Sequence, residues 1–252
     1  MMRDTDKDWT KIAETDPYWG VLSVEDYRGQ DIDPAMRERF FASGRQFIDN
    51  VMAFIQKHID RHFAPRRSLD FGCGVGRLLL PLAHYSAEAI GLDVAPRMRQ
   101  LAVANAAQLG LTNVSVRESD DLISAADGPF DFVNTYIVMQ HIPPSRGMLI
   151  IDRLLSKLAI GGVASIQITY AKSREFFMHE AGRAKYYRRD GEALIDIMPN
   201  EAHRPDGEVT MFDYDLNAVF ALATQYSGSP ILTLPTNEAG HLSVHLVFQR
   251  AR

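Results

Sequence analysis

The stretch Ser68-Leu-Asp-Phe-Gly-Cys-Gly-Val-Gly-Arg77 decides how the rest of the chain is read. Leu69 to Phe71 is a short apolar run interrupted by one acid, Asp70. Gly72, Gly74 and Gly76 follow at alternate positions, and a new apolar segment begins at Leu78. The pattern is a strand, a tight turn and a helix start. Glycine belongs where backbone passes through positive φ, or where a ligand must come closer than a Cβ permits. A helix N-terminus beyond the turn would offer unpaired N–H groups and a positive dipole end to a polar or anionic ligand.

On the C-terminal side, strand–helix units repeat. Ala87 to Leu92 reads as a strand closed by Asp93. Pro96 opens a helix whose buried face is Met98, Leu101, Ala102 and Leu109, and Gly110 ends it. Asn113 to Val116 is a third strand, leading to Ser119-Asp-Asp-Leu122, and Phe130 to Thr135 is a fourth. Pro143-Pro144 precedes a helix with Ile151, Leu154, Leu155 and Leu158 on one face, closed by Gly161-Gly162. Val163 to Tyr170 is a fifth strand, its Ile166 and Ile168 alternating with polar neighbours. Tyr214 to Tyr226 is helical, and Ser229 to Leu234 and Leu242 to Phe248 close the chain as two strands, with Asn237, Gly240 and His241 between them. Strands alternating with helices imply a parallel sheet covered on both faces by right-handed crossovers.

Two segments stand outside that rhythm. Residues 1–62 are helical where they show a pattern, with Phe40, Phe41, Phe47, Ile48, Val51, Met52 and Ile55 at three- and four-residue spacing after Pro34. They read either as a cap packed on a sheet edge or as a lid that brings Tyr18, Trp19, Ser43 and Gly44 near the glycine turn. Residues 171–210 mix Lys172, Arg174, Arg183, Lys185, Arg188 and Arg189 with Phe176, Phe177, Tyr186 and Tyr187. An insertion there falls beyond the carboxyl ends of the strands, where ligands gather. It reads as a substrate cap, or as a solvated cap over ordinary aromatics.

Composition narrows the function. A net charge of -5 opposes general affinity for nucleic acid or acidic membranes. The one cysteine, Cys73, excludes an internal disulfide and a cysteine-ligated metal cluster, and fits a reducing cytoplasm. No apolar run is long enough for a membrane span, and residues 1–11 lack a secretory apolar core. No metal is expected.

From about Ser68 onward, the chain resembles the class I S-adenosylmethionine-dependent methyltransferases. The family's acid-x-Gly-x-Gly-x-Gly motif is matched by Asp70, Gly72, Gly74 and Gly76. Its acid closing the second strand is matched by Asp93, and its motif after the third strand by Asp120-Asp121-Leu122. Its post-strand-four motif is matched by Tyr136-Ile-Val-Met-Gln-His-Ile142. A dinucleotide fingerprint would want glycine at Arg77, and no Gly-Lys-Ser/Thr of a P-loop follows. The resemblance implies a Rossmann-like α/β fold: a seven-stranded, mostly parallel sheet with helices on both faces and the last strand antiparallel. Residues 1–62 would form the helical cap and 63–252 the methyltransferase domain, with the insertion before the last helix.

For the cofactor, S-adenosylmethionine, the resemblance implies a binding set of Asp70, Gly72, Cys73, Gly74, Gly76, Arg77, Asp93, Val94, Met98, Asp120, Asp121, Leu122, Tyr136 and Gln140. Asp93 would take the ribose hydroxyls and the acid after strand three the adenine amine. Asp70 suits the ammonium and Arg77 the carboxylate of the amino-acid end. Met98 is either an adenine cover or a core methionine, and Cys73 is a small filler of the turn rather than a nucleophile. His141 and then His241 are the histidines best placed to act as general base, each with the alternative of a structural histidine bonded to backbone. Tyr18, Trp19, Tyr170, Arg174 and His241 are the substrate-binding candidates. The acceptor expected is a small metabolite, with a sugar or natural product as the candidate, through oxygen or nitrogen. An RNA or protein methyltransferase, and a catalytically silent cofactor-binding partner, stay open as alternatives.

Overall fold

The computed structural model describes residues 5–29, 31–173, 184–188, 195–199, 209 and 211–251. The apolar run before the glycine turn is strand β1 (Arg67–Phe71). It pairs in parallel with β2 (Glu88–Asp93) and with β4 (Phe130–Thr135). With β3 (Val114–Glu118), β5 (Leu158–Lys172), β9 (Leu232–Glu238) and β10 (His241–Gln249), the sheet has seven strands in the order β3-β2-β1-β4-β5-β10-β9. The last strand, β10, runs antiparallel between β5 and β9. The order reverses between β1 and β4, which opens a crevice at their carboxyl ends. Among the described residues, β6 (Ala184–Arg188), β7 (Ile195–Pro199) and β8 (Met211–Asp213) form a second sheet; β6 and β7 lie within the segment read as an insertion, and β8 follows it directly.

Side-chain alternation assigns the two faces. Leu69, Val133, Ala164, Leu246 and Phe248 point to one face, under α6 (Pro144–Ser156) and α7 (Leu216–Tyr226). Phe132, Val163 and Val247 point to the other. There they meet Ile48, Val51, Met52 and Ile55 of the long helix α3 (Pro34–His58). The aliphatics of α3 therefore cover a sheet face, where the cap reading places them on an edge, while Phe40 and Phe41 pack with Tyr18 and Met98. Upstream, α1 (Thr5–Thr15) and α2 (Pro17–Val21) continue this layer. Tyr18 packs edge-on against Phe40, with ring centroids 5.2 Å apart.

Three boundaries differ from the sequence reading. The glycine turn launches only one turn of helix, α4 (Leu79–Leu82), with Pro81 inside it. Proline removes a hydrogen bond from a helix interior, so the helix begun after the turn does not propagate. Helix α6 stops at Ser156, and Leu158 already belongs to β5. The final hairpin closes through Ala239 and Gly240, both at positive φ, so its strands lie a few residues later than expected for the first of the pair.

Helix α3 approaches the glycine segment so closely that a Cβ on Gly44 would sit 2.0 Å from the Arg77 carbonyl oxygen. Gly44→Ala gains helix propensity of about 1 kcal/mol and forces a backbone overlap. The overlap is expected to win, lowering the unfolding free energy by about 1–3 kcal/mol in urea titration. Equal or greater stability would show that α3 does not seat here.

Candidate active site

The exits of β1 and β2 lie side by side because the two strands are parallel and in register, Phe71 opposite Leu92. The Leu92 carbonyl accepts from Gly72 N (2.8 Å) and Cys73 N (3.0 Å). The Asp93 carboxylate then bridges both exits: Oδ2 accepts from Gly74 N at 2.8 Å and Oδ1 from Ala95 N at 2.9 Å. From α5 (Pro96–Gln108), the Asn105 amide donates to the Val75 carbonyl at 2.8 Å, and Arg37 of α3 holds that amide in turn. Gly72 and Gly74 have φ of +73° and +53°. A Cβ on either would meet a valine methyl at 2.5 Å, of Val138 and Val21 respectively. The loop needs glycine for conformation and for space.

Around this loop lies a cleft of about 990 Å³ including its open mouth, the upper end of the range for cofactor-sized sites. Asp70, Gly72, Cys73, Gly74, Arg77, Asp93, Val94, Met98, Asp120, Asp121, Tyr136 and His141 all line it. At its centre two opposite charges are buried. Asp70 is pushed up to about 7 by burial, against the Asn134 hydrogen bond and the Arg77 charge that favour its anion. Arg77 is pulled down by burial and held up by Tyr136, Asp70 and Glu238. Its Nη1 donates to Ser43 at 3.2 Å, while its buried Nε has no partner. A buried guanidinium N–H without an acceptor is rare in folded proteins, and here it belongs to a residue lining the cleft. The cleft thus holds an acceptor for a cation beside a donor for an anion, which fits the amino-acid end of S-adenosylmethionine.

The acids after β3 are already engaged. Asp120 Oδ1 accepts from Leu122 N and Ser124 N, both at 2.9 Å, and these bonds hold its carboxyl below the usual range. Asp121 pairs with Arg146 of α6, whose Nη2 to Oδ1 distance is 2.7 Å. Arg146 reaches Asp6 of α1 at 3.0 Å as well. That clamp brings Thr5, Asp6 and Trp9 to the rim of the cleft. Thr5, Asp6, Trp9 and Arg146 were not singled out in the sequence. Residues 1–11 carry no motif, and a pairing over 140 positions leaves no local signature.

Other expected residues lie elsewhere. Tyr18 is buried in the α3 layer, and Trp19 lies beneath the Arg28 guanidinium at 3.5 Å; neither lines the cleft, because α2 turns Gly20 and Val21 toward it instead. Gly76 faces Leu80, Leu122 is exposed, and Tyr170 packs on the α6–α7 core. Gln140 is buried behind His141. Its Nε2 lies 3.2 Å from His141 Nε2, and its Oε1 accepts from Thr169 at 2.8 Å. Trp9 contacts the His141 ring edge-on at 4.7 Å. His241 begins β10 opposite Lys172, outside the cleft lining, and burial with the Lys172 and His141 charges pushes it down to about 3. Arg174 lies outside the described residues. Among the described residues no cluster of His, Cys, Asp or Glu is arranged to hold a metal, and no helix is long and apolar enough to cross a membrane.

A parallel sheet in this order, with an antiparallel strand next to its edge, a glycine turn after β1 and an acid closing β2, is the fold of the class I S-adenosylmethionine-dependent methyltransferases. Residues 69–162 match the family model of methyltransferase domains. In sequence the chain is 27% identical over 156 residues to the 23S rRNA (uracil(1939)-C(5))-methyltransferase RlmD of Burkholderia cenocepacia. That match takes in 57% of this chain and 33% of the relative, so the chain spans about a third of the length of the curated relatives it matches. In structure it is similar to magnesium protoporphyrin IX methyltransferase from Synechocystis with S-adenosylhomocysteine bound. The TM-score is 0.62 at 17% identity, over 92% of this chain and 93% of that one. It is also similar to the N-terminal domain of EvdMO1 with S-adenosylhomocysteine bound, with TM-score 0.59 at 19% identity over 100% and 98% of the two chains. These likenesses at low identity show the fold.

Replacing Asp93 by asparagine turns one acceptor oxygen into a donor facing a buried N–H. Asp93→Asn is expected to lower the unfolding free energy by about 1–3 kcal/mol in urea titration. An unchanged midpoint would show that the carboxylate does not hold the loop.

Proposed function

We propose that this chain transfers a methyl group from S-adenosylmethionine to an oxygen or nitrogen of a small acceptor. The observation that carries the reading is the buried pair at the glycine turn, the Asp70 carboxylate and the unpartnered Arg77 Nε. Asp70 would receive the ammonium and Arg77 the carboxylate of the cofactor. Each Asp93 oxygen accepts one backbone N–H and keeps a lone pair, enough for a ribose diol. Met98 and Val94 line the adjoining wall and would cover the adenine. When bound, the cofactor supplies an electrophilic methyl on sulfur; the protein's part is to align the acceptor, exclude water and take a proton.

Among the titratable groups lining the cleft, His141 is best suited to take that proton. Asp6 and Asp121 are committed to Arg146. The Tyr136 phenol is pushed far up by burial and donates to Glu238 at 2.8 Å. The Trp9 ring fixes the imidazole's orientation, and the Gln140 amide, with its nitrogen 3.2 Å from Nε2, would turn its oxygen to that atom when the imidazole takes the proton.

The relatives that methylate RNA raise the question of a uracil acceptor. Methylation of a uracil carbon calls for a nucleophile to add across the ring double bond first. The one cysteine, Cys73, is buried in the glycine turn, and burial with the Asp93 and Asp70 charges pushes its thiol well up, away from thiolate. With the net charge of -5, this favours a small acceptor.

Calorimetry with S-adenosylhomocysteine tests the cofactor site. Because Asp70 titrates near 7 in the ligand-free protein, a cation binds best above that pH. Affinity is expected to fall toward tenfold per unit as pH drops below it. PH-independent affinity between about 5.5 and 8 would contradict the placement of the ammonium. For His141→Ala, binding is expected to persist, while turnover in an acceptor screen falls by about 10²–10⁴-fold. Full turnover would remove the base role.

A further inference from the structure

Asp70 is one end of a buried polar row. The strand registers set Asp70 opposite Asn134, and Asn134 opposite Ser165. His245 of β10 lies diagonally beyond, opposite Gln167. All four side chains point to the α3 face, and each is at most 3% exposed. Asn134 Nδ2 donates to Asp70 Oδ1 at 2.8 Å, Ser165 Oγ donates to Asn134 Oδ1 at 2.9 Å, and Ser165 Oγ lies 2.8 Å from His245 Nε2. The Phe47 ring of α3 stacks over His245 with centroids 5.8 Å apart.

The chemistry of the four groups gives this row a direction. A carboxylate only accepts, so Asn134 turns its amide N–H toward Asp70 and its oxygen toward Ser165. Serine has one proton, and it is spent on that oxygen. The serine oxygen must therefore accept from His245, which carries its proton on Nε2. Every donor points toward Asp70, and Asn134, Ser165 and His245 are buried off the cleft lining, where a missing partner is costly. Protonating Asp70 reverses each step. The acid donates to Asn134 oxygen, the amide donates to serine, serine donates to Nε2, and the imidazole proton resides on Nδ1.

We propose that Asn134, Ser165 and His245 are positioning residues, a relay across the four central strands that holds the Asp70 carboxylate ready for the cofactor's ammonium and couples its charge to the His245 tautomer. The relay rests on the cofactor reading only for what Asp70 receives. Its three side chains do not line the cleft. It supplies the directed dipoles that the one-turn α4 cannot. The charged and titratable groups facing Asp70 are Arg77, which favours its anion, and Asp93, which opposes it; the Cys73 thiol lies beside both. Facing His245 are the Phe47 and Tyr136 rings, and burial pushes the imidazole down to about 4, so it remains neutral while Asp70 titrates.

Nitrogen-15 NMR of histidine-labelled, ligand-free protein at about pH 8, above the Asp70 titration, tests the coupling. His245 is assigned by loss of its signal in His245→Gln. Wild type is expected to show the Nε2–H tautomer. Asp70→Asn, whose amide can donate as the protonated acid does, is expected to show Nδ1–H. The same tautomer in both proteins would overturn the proposal, as would a charged His245 at that pH. Carboxyl carbon-13 titration supplies the second readout. In Ser165→Ala the Asp70 midpoint is expected to rise by roughly one unit, with Ser165→Thr restoring it. An unmoved midpoint would reduce the row to packing. Should Ser165→Ala fail to fold, the wild-type and Asp70→Asn comparison still decides. Wild type that shows the tautomer switch but binds no S-adenosylhomocysteine would refute the cofactor reading and leave the relay standing.

Discussion

The Asp93 carboxylate is the constraint on which the site depends. Two parallel strands end side by side, and each leaves a backbone N–H at its exit, on Gly74 and on Ala95. One buried carboxylate accepts both. That sets the loop over β1 and the start of α5 in one fixed relation, and the cleft between them follows. Burial pushes the carboxyl up and the two N–H bonds push it down, so the anion is supported by the same contacts that shape the loop. Asn105 and Arg37 extend the arrangement to α3, whose Gly44 leaves room for the Arg77 carbonyl.

Charge burial distinguishes the cleft from an ordinary crevice. An isolated buried carboxylate is costly, and so is a guanidinium with an unmet donor. Asp70 and Arg77 offset part of each other's cost, and the polar row behind Asp70 contributes more. What remains unmet is one N–H and the open side of one carboxylate. A zwitterion matches that remainder better than a neutral or singly charged ligand does. The Arg146 clamp stands at the rim and has no part in holding the charges.

Much of this was legible before the structure. The alternating glycines, the acid at Asp93 and the strand–helix rhythm specify β1 to β5 and the side on which the cleft opens. They are local signals, and local chemistry keeps them. The helical period of α3 was legible too, but period alone does not say whether an apolar stripe covers a sheet face or an edge. Four features were not readable in full. The run after Arg77 looks like a helix, and Pro81 limits it to one turn. Tyr18 and Trp19 look like ligand aromatics, but Phe40 and Arg28 claim them. The clamp from Asp6 through Arg146 to Asp121 joins segments far apart in sequence. The polar residues of the row, Asn134, Ser165 and His245, show only as single polar positions in apolar strands. Strand order, which brings them into line, is not written at any one of them.

The direct test of the central claim is a crystal structure with S-adenosylhomocysteine. The expected density lies along the exits of β1 and β2. Its ammonium is within hydrogen-bond reach of Asp70, its carboxylate on Arg77 Nε and its ribose on Asp93. A ligand with its amino-acid end away from Asp70 and Arg77, or saturating ligand that leaves this cleft empty, would contradict it.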